Sequence, residues 1–400
     1  MMQITDNAQE QKIFPLFRLA FRPFFLGAAL YSILALLIWA ASLSGILSFS
    51  PYGNPIWWHA HEMIFGFSFA VIIGFLLTAI QNWTGIPSIR GWKLVLLFSS
   101  WAVSRVILMF NFTPSYLILA IDITTPLLAA FFLWQNVSAG KHWKNLFFAP
   151  ILVLFALANT ISHVAIIEQM PQLSSSAFSL LVMLVTLVMC IIGGRVIPFF
   201  TSKGTGTDKT APIAAIEFLS LAPLWLFVVL AIINSFVTLP AILLSAVLII
   251  AGLANLVRFI RWRPWITFSV PLLWSLHCAY LFIPLGLTAY GIANLVSPES
   301  STNVLHLITV GAMGNLIIAM MARVSLGHTG RTLSPKPIMS LAFLCVVIAA
   351  PVRAILLIAV PQLTLFSYQL SAGLWIAGYA IFVACYAKML CTPRVDGHPG

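Results

Sequence analysis

The sequence predicts an all-α membrane protein, a polytopic bundle of about twelve transmembrane helices. Hydrophobic residues make up 61% of the 400 residues, and charged residues only 7%. Apolar runs of about 20 residues recur along the whole chain, and a helix of that length crosses the hydrocarbon core of a bilayer. The basic residues fall in alternate connections between these runs. Together these observations exclude a soluble globular protein.

The predicted spans follow one another with short connections. They lie near 24–46, 60–81, 92–110, 115–135, 146–168, 176–199, 216–236, 239–260, 270–295, 303–324, 338–358 and 364–388. The pair near 216–236 and 239–260 is separated by a short turn, so a re-entrant pair is an alternative there. The connections leave no room for a soluble domain. We therefore expect a single integral membrane domain, 1–400, with approximate halves 1–200 and 215–400 joined by a cytoplasmic loop.

The net charge is +11, and the distribution of the basic residues along the chain indicates how the protein is oriented in the membrane. Lys and Arg occur near both termini and in alternate connections, such as those containing Arg90 and Lys141, whereas the intervening connections contain neither. The positive-inside rule then puts both termini in the cytoplasm. The partner that this charge implies is the lipid bilayer, including its anionic headgroups, and not nucleic acid.

This orientation places ionisable residues of six predicted spans in one layer near the outer membrane surface. They are His59, His61, Glu62, Arg105, Asp122, His163, His306 and Arg353. Ionisable groups inside a membrane are expensive and usually have a partner, a cavity or a metal. We expect a shared polar site, with headgroup-facing residues as the alternative. For Arg105 and Asp122 a structural charge pair is favoured, because two uncompensated charges would cost several kcal/mol.

The histidines of this outer layer are candidate metal ligands. Neutral imidazole binds iron, copper and zinc, and His together with Met favours copper. His59 and Met63 are one helical turn apart and share a face with Glu62. His61 is expected to point away if this segment is helical.

Two further spans contribute candidate ligands to the same layer. Asn159 and His163 are one helical turn apart, so the amide is expected to orient the imidazole ring. His306 begins a helix face that continues with methionines, for which simple packing is the alternative interpretation.

A second polar layer lies near the predicted cytoplasmic ends of the sixth, ninth and tenth spans. It contains Arg195, His277, Arg323 and His328. Arg195 and Arg323 are close to glycines, which allow helices to approach each other. We expect these two guanidinium groups to pair with carboxylates such as haem propionates or Glu217. Anchoring of the span ends by positive charge is the alternative.

The sequence contains no motif for other common chemistry. A phosphate-binding loop, a dinucleotide glycine motif, a His-Glu-x-x-His helix and a serine-nucleophile elbow are all absent. Whether the protein is an enzyme therefore stays open.

Several motifs are spread over most of the chain. They are Phe-Arg-Leu-Ala-Phe-Arg-Pro-Phe-Phe at 17–25, Trp-His-Ala-His-Glu-Met-Ile-Phe-Gly at 58–66, Asn-Trp-Thr-Gly at 82–85, Asn159 with His163, Gly-Gly-Arg at 193–195 with Pro198 and Thr201, and a block at 306–331. Through this set the chain resembles the NnrS family, haem- and copper-containing proteins of the bacterial inner membrane that are associated with nitric oxide and nitrosative stress. The resemblance implies haem and copper as cofactors and a role in lowering the harm done by nitric oxide. It fixes neither a reaction nor a ligand set.

The favoured hypothesis is a haem- and copper-binding membrane protein that binds or redox-processes nitric oxide or its adducts. Haem needs an apolar slot with axial imidazoles, which a helix bundle can supply. The alternative is a secondary transporter of a metal or small anion, although the polar residues lie at the span ends and not at the centre, where a transport site is expected. A purely structural or sensory membrane subunit is a third interpretation. The oligomeric state stays open.

Overall fold

The computed structural model describes residues 10–398. Within this range the chain forms twelve long helices and no β-strand. They are α1 (Phe21–Leu43), α2 (Pro55–Thr84), α3 (Trp92–Leu108), α4 (Tyr116–Ala139), α5 (Phe148–Ile167), α6 (Pro171–Thr205), α7 (Ala214–Asn234), α8 (Ala241–Arg261), α9 (Pro271–Val296), α10 (Pro298–His328), α11 (Ile338–Ala359) and α12 (Thr364–Leu390).

The number of helices confirms the predicted all-α bundle of about twelve spans. Eleven of these helices are long and apolar enough to cross a membrane. The remaining one, α3, has 17 residues, which is at the lower end of the length that spans a bilayer. The cytoplasmic location of the termini stays a prediction.

The helices belong to two compact units. Unit 1 contains the described residues up to Leu181, Arg323–Leu333 and those from Phe382 onwards, and unit 2 contains Val182–Ala322 and Ser334–Ile381. The first boundary between them lies inside α6, a helix of 35 residues. The single domain with halves 1–200 and 215–400 stays a prediction.

The start of α2 positions the motif with two histidines. Asn54 precedes this helix, and its side-chain oxygen accepts a hydrogen bond of 2.9 Å from the backbone N–H of Trp57. Pro55 occupies the first helical turn, where its missing N–H and fixed φ are well tolerated. The chain is therefore already helical when it reaches the histidines.

Three stretches of the long helices are π-helical. They are Glu62–Ser68 in α2, Leu307–Gly314 in α10 and Val352–Leu356 in α11. The first two follow directly on His61 and His306. π-Helical turns are rare in proteins, and those that occur are often found at functional sites. They therefore indicate the same segments as the histidines do.

Close packing of α8 against α9 in unit 2 depends on glycine. A side-chain carbon added at Gly252 would lie 3.0 Å from the carbonyl oxygen of Pro284. We expect Gly252→Val to lower the free energy of unfolding by about 1–3 kcal/mol, because overpacking forces the backbones apart. Thermal unfolding in detergent measures this effect. Gly373→Val is the matched control, since no atom lies within 4 Å of its added carbon, and an equal loss in both variants would contradict the prediction.

Candidate functional site

Four helices of unit 1 bring polar and ionisable side chains together in the interior of that unit. His61 and Glu62 lie on α2, Arg105 on α3, Asp122 on α4, and Asn159 and His163 on α5. All six residues are buried, and the most exposed of them, Arg105, has only 4% of its surface accessible. We call these six residues the polar cluster.

Arg105 pairs with two carboxylates of the polar cluster. Its Nη1 donates to Glu62 Oε1 at 2.9 Å, and its Nη2 donates to Asp122 Oδ1 at 2.5 Å. The predicted charge pair between Arg105 and Asp122 is thus confirmed. Removing one member of a buried pair leaves an uncompensated charge, so each of the three side chains depends on the others for its stability in this environment.

His61 lies at the centre of the polar cluster. Its Nδ1 is 2.9 Å from Glu62 Oε1, and its Nε2 is 3.1 Å from Asp122 Oδ2 and 2.9 Å from Asn159 Oδ1. Both ring nitrogens face oxygen acceptors, so in this arrangement the ring donates at both positions and carries a positive charge. With Arg105, it balances the charges of the two carboxylates.

The expectation that His61 points away from Glu62 is wrong. The regular α-helix ends at His61 and the π-helical stretch begins at Glu62. The angular spacing used for the expectation holds only in a regular α-helix. The side chains of these neighbours instead meet through a direct hydrogen bond.

His163 contacts the same carboxylate from α5. Its Nε2 lies 3.4 Å from Asp122 Oδ2, and its Nδ1 lies 3.1 Å from the hydroxyl of Tyr52, in the connection before α2. Burial raises the pKa of Tyr52 to about 12, so the phenol keeps its proton and donates it to Nδ1. The Nε2 of His163 is then the nitrogen that donates to Asp122.

Asn159 bridges two residues of the polar cluster and does not follow the sequence-based expectation. Its Nδ2 donates to Asp122 Oδ2 at 2.6 Å, and its Oδ1 faces His61 Nε2. The amide was expected to orient His163, but the hydroxyl of Tyr52 holds that ring. Asn159 and His163 are one turn apart along α5, so their side chains lie on the same face of the helix. From this face both contact Asp122 of α4.

Sequence reasoning missed two residues that fix the imidazole rings. Trp57 stacks on His61 with ring centres 4.5 Å apart, and its Nε1 donates to the carbonyl oxygen of Ser162 at 3.2 Å. Tyr52 holds His163. Trp57 lies at the end of a predicted span, where tryptophans commonly contact lipid headgroups. Tyr52 lies in a connection, which has no periodic pattern. The sequence pattern alone therefore could not identify either residue as part of the site.

Three side chains of the polar cluster are arranged as a metal site could be. Each of these residues, His61, Asp122 and His163, offers one potential ligand atom, and the three atoms lie within 4.8 Å of one another. Tetrahedral coordination with bonds of 2.0–2.1 Å separates neighbouring ligand atoms by about 3.3 Å. The distances from Asp122 Oδ2 to the two Nε2 atoms, 3.1 Å and 3.4 Å, are close to this separation. The geometry therefore suits a small transition-metal ion.

The other candidates of the outer layer lie elsewhere. In unit 1, His59 stacks on Trp39 with ring centres 4.4 Å apart, and Met63 is half-buried. In unit 2, His306 Nδ1 donates to the carbonyl oxygen of Thr302 at 2.8 Å.

Arg353 of α11 contacts two polar or aromatic residues of unit 2. Its guanidinium donates to Asn303 Oδ1 at 3.2 Å and lies 4.4 Å from the ring centre of Tyr368. Like His306, it lies in or directly beside a π-helical stretch. Arg353 is thus held by an amide and by a cation–π contact.

The candidates of the predicted inner layer lie in both units. In unit 2, Arg195 is exposed, whereas His277 is 2% exposed and its Nε2 is 2.9 Å from Thr201 Oγ1. His277 Nδ1 has no hydrogen-bond partner among the described residues. In unit 1, Arg323 is buried and the ring of His328 lies 5.6 Å from that of Phe21.

The carboxylate of Glu217 pairs with Arg258, one of the basic residues at the predicted cytoplasmic span ends. The Nε and Nη2 of Arg258 donate to the two oxygens of Glu217. Nη1 donates to the carbonyl oxygen of Cys190 at 2.9 Å and to the hydroxyl of Tyr280 at 3.2 Å. A basic residue at a span end fits the positive-inside rule equally well when it is buried, so charge counting could not reveal this role.

Eleven apolar helices that can cross a membrane within residues 10–398, and a buried cluster of two imidazoles, two carboxylates and a guanidinium, define a multi-pass membrane protein with a candidate metal site. A family model described as NnrS protein matches residues 15–394. The chain belongs to the NnrS family. This membership supports a role in the response to nitric oxide at the level of the family. No curated protein matches the chain.

Proposed function

We propose that this chain is a copper- and haem-binding protein of the bacterial inner membrane that protects against nitric oxide, and that His61, Asp122 and His163 bind the copper ion. Two considerations support the proposal. The family is associated with the nitric oxide response, and the three ligand atoms are buried and closely spaced. The supporting observation of greatest weight is the orientation of the two rings.

Both imidazoles turn the same nitrogen towards the same oxygen. Nε2 of His61 and Nε2 of His163 face Asp122 Oδ2, while each Nδ1 contacts an oxygen of another residue, Glu62 for His61 and Tyr52 for His163. Metal-binding histidines typically have their second nitrogen held by a carboxylate or another oxygen, which fixes the ring. Imidazole binds a metal as the neutral ring, so His61 would give up its Nε2 proton on coordination.

The donor set decides which ions are suitable. Two imidazoles and one carboxylate suit copper(II) and zinc, and the same set with open positions is typical of non-haem iron(II). Our choice of copper rests on the resemblance to the NnrS family, and elemental analysis separates these ions. With three protein ligands, a bound copper ion would be able to take up a small diatomic molecule as a further ligand. A bound copper ion would supply a one-electron couple there.

The remaining residues of the polar cluster hold the ligands in place. Arg105 pairs with both carboxylates and so offsets the charge that a membrane-embedded Asp122 would otherwise expose. Asn159 donates to the same oxygen of Asp122 that the two rings face. Trp57 covers one face of the His61 ring. The apolar surroundings admit nitric oxide, which dissolves in lipid.

Haem has one supporting observation in unit 2. His277 is buried with an unpartnered Nδ1, and an unsatisfied buried nitrogen is costly unless it binds something. His59, His306 and His328 stay candidate haem or metal ligands. Arg195, Arg323, Arg105 and Arg353 stay candidates for contacts with the cofactor.

Metal content of the purified protein tests the copper site. We expect untagged protein in detergent to retain one copper ion per chain, and His61→Ala and His163→Ala to lose it. His142→Ala is the matched control, because His142 is exposed and lies outside the polar cluster. Unchanged copper stoichiometry in both cluster variants would overturn the assignment. A wild-type protein with neither bound metal nor Soret absorbance would overturn the whole proposal.

The candidates outside the polar cluster are tested in parallel. Replacing His59 or His306 by Ala is predicted to lower the haem or copper content, which the Soret absorbance and elemental analysis measure. If both variants keep the wild-type content, these two residues are not ligands. Loss of haem with retention of copper would assign them to a separate centre.

A further inference from the structure

A cavity of about 70 Å³ lies inside unit 2 at the ends of α6, α7 and α8 that are predicted to face the cytoplasm. Gly194 and Pro198 of α6 form one side of it, and the connection from Lys209 to Ile213 forms another. Glu217 of α7 is also in its wall. A single water needs only about 10–15 Å³ measured in this way, so the cavity has room for a small polyatomic ion.

The wall of the cavity carries a net positive charge. Lys209, Arg258 and Arg261 line it, against the single carboxylate of Glu217. Glu217 is already neutralised by Arg258 through two N–H donors. The charges of Lys209 and Arg261 are therefore not balanced by an acidic residue of the wall.

The start of α7 adds to this positive potential. Ile213 is the N-cap residue of the helix and contributes no side-chain hydrogen bond to it, and both Ile213 and Ile216 line the cavity. The first N–H groups of a helix have no partner within the helix, and the helix dipole makes this end attractive to anions. The charge of Lys209 and Arg261 and the helix end thus act on the same space.

The wall of the cavity is held in place before any ligand binds. Arg258 is 3% exposed, and its Nη1 donates to Cys190 O and to the hydroxyl of Tyr280. Its guanidinium lies against Gly194, where any side chain would overlap it. The connection is tied to α8 because Arg261 Nη2 donates to the carbonyl oxygen of Ala211 at 3.0 Å.

We propose that this cavity binds one phosphate-type anion, supplied either as free inorganic phosphate or as the headgroup of an anionic phospholipid. Guanidinium and ammonium groups and a helix N-terminus are the donors that bind phosphate oxygens in proteins. The location at a span end puts the cavity at the depth of lipid headgroups, where basic residues attract anionic lipids. The site does not involve the polar cluster and is independent of the proposed copper site.

Two binding measurements separate the two sources of phosphate. In the first, inorganic phosphate is titrated calorimetrically into the protein in phosphate-free maltoside detergent. In the second, the protein is released from nanodiscs that contain phosphatidylglycerol, and native mass spectrometry counts the retained lipids. The variants are K209Q and the double variant K209Q/R261Q. Lys209 is exposed, so its replacement leaves the helices intact. The matched control is K203Q/K336Q, which removes two exposed charges of unit 2 that do not line the cavity.

We expect the wild type and K203Q/K336Q to bind in one of the two measurements. Binding by K209Q/R261Q should be weaker by about tenfold or more, because two charge-assisted donors are lost. K209Q alone should show an intermediate loss. A response to inorganic phosphate identifies the free ion, and a retained lipid identifies the headgroup. Absence of binding by the wild type in both measurements would overturn the proposal, and so would equal losses in the control and K209Q/R261Q.

Discussion

Replacing Arg105 by Met is expected to lower the free energy of unfolding by about 3–5 kcal/mol. The variant leaves the buried carboxylates of Glu62 and Asp122 with a single positive partner, His61. Methionine is similar in length, so the main change is the loss of the charge and of two hydrogen bonds. Thermal or denaturant-induced unfolding in detergent, monitored by circular dichroism, measures the effect.

Lys144→Met is the matched control for this prediction. Lys144 is an exposed basic residue of unit 1, so its removal should cost less than about 1 kcal/mol. If Arg105→Met and Lys144→Met unfold at the same temperature, Arg105 does not compensate buried carboxylates and the ion pairs described for the polar cluster are incorrect.

Replacing Asp122 by Asn is expected to weaken copper binding by at least about 100-fold. Changes to residues that merely hold metal ligands already cost 10–100-fold, and Asp122 is proposed as a ligand itself. The change also removes the negative charge that faces both His61 and His163. Competition with a copper chelator of known affinity gives the dissociation constant for the wild type and the variant.

Glu299→Gln provides the corresponding control, because it removes a carboxylate from the start of α10 in unit 2, outside the polar cluster. The melting temperature of each variant is measured without metal. An Asp122→Asn protein that is folded and binds copper as tightly as the control would exclude Asp122 as a ligand. Weak binding by the control as well would show that the assay reports overall charge.

Much of the fold could be predicted because the bilayer restricts the chain so strongly. A membrane-spanning segment must satisfy its backbone hydrogen bonds internally, so the lengths of the apolar runs identify the helices. The alternation of basic residues then gives the depth of each residue. The predicted depth alone indicated that Arg105 and Asp122 would pair, because an unpaired charge within a membrane span is energetically unfavourable.

The details of the polar cluster could not be predicted in the same way. A regular helix was assumed through Glu62, whereas a π-helical stretch begins there and places His61 next to Glu62. The roles of Tyr52 and Arg258 depend on contacts with residues 111 and 41 positions away in sequence. No periodic pattern encodes such contacts, because they arise only when the helices pack.

The placement of partner charges on α2, α3 and α4 has a consequence for biogenesis. During synthesis Arg105 emerges before Asp122, and Asp122 emerges before Asn159 and His163. A charge that enters the bilayer without its partner is costly. Release of these segments into lipid one at a time would incur that cost repeatedly. We expect the translocation machinery to retain these segments until α5 has emerged. Helices α2 to α5 would then enter the lipid together, with their charges already paired.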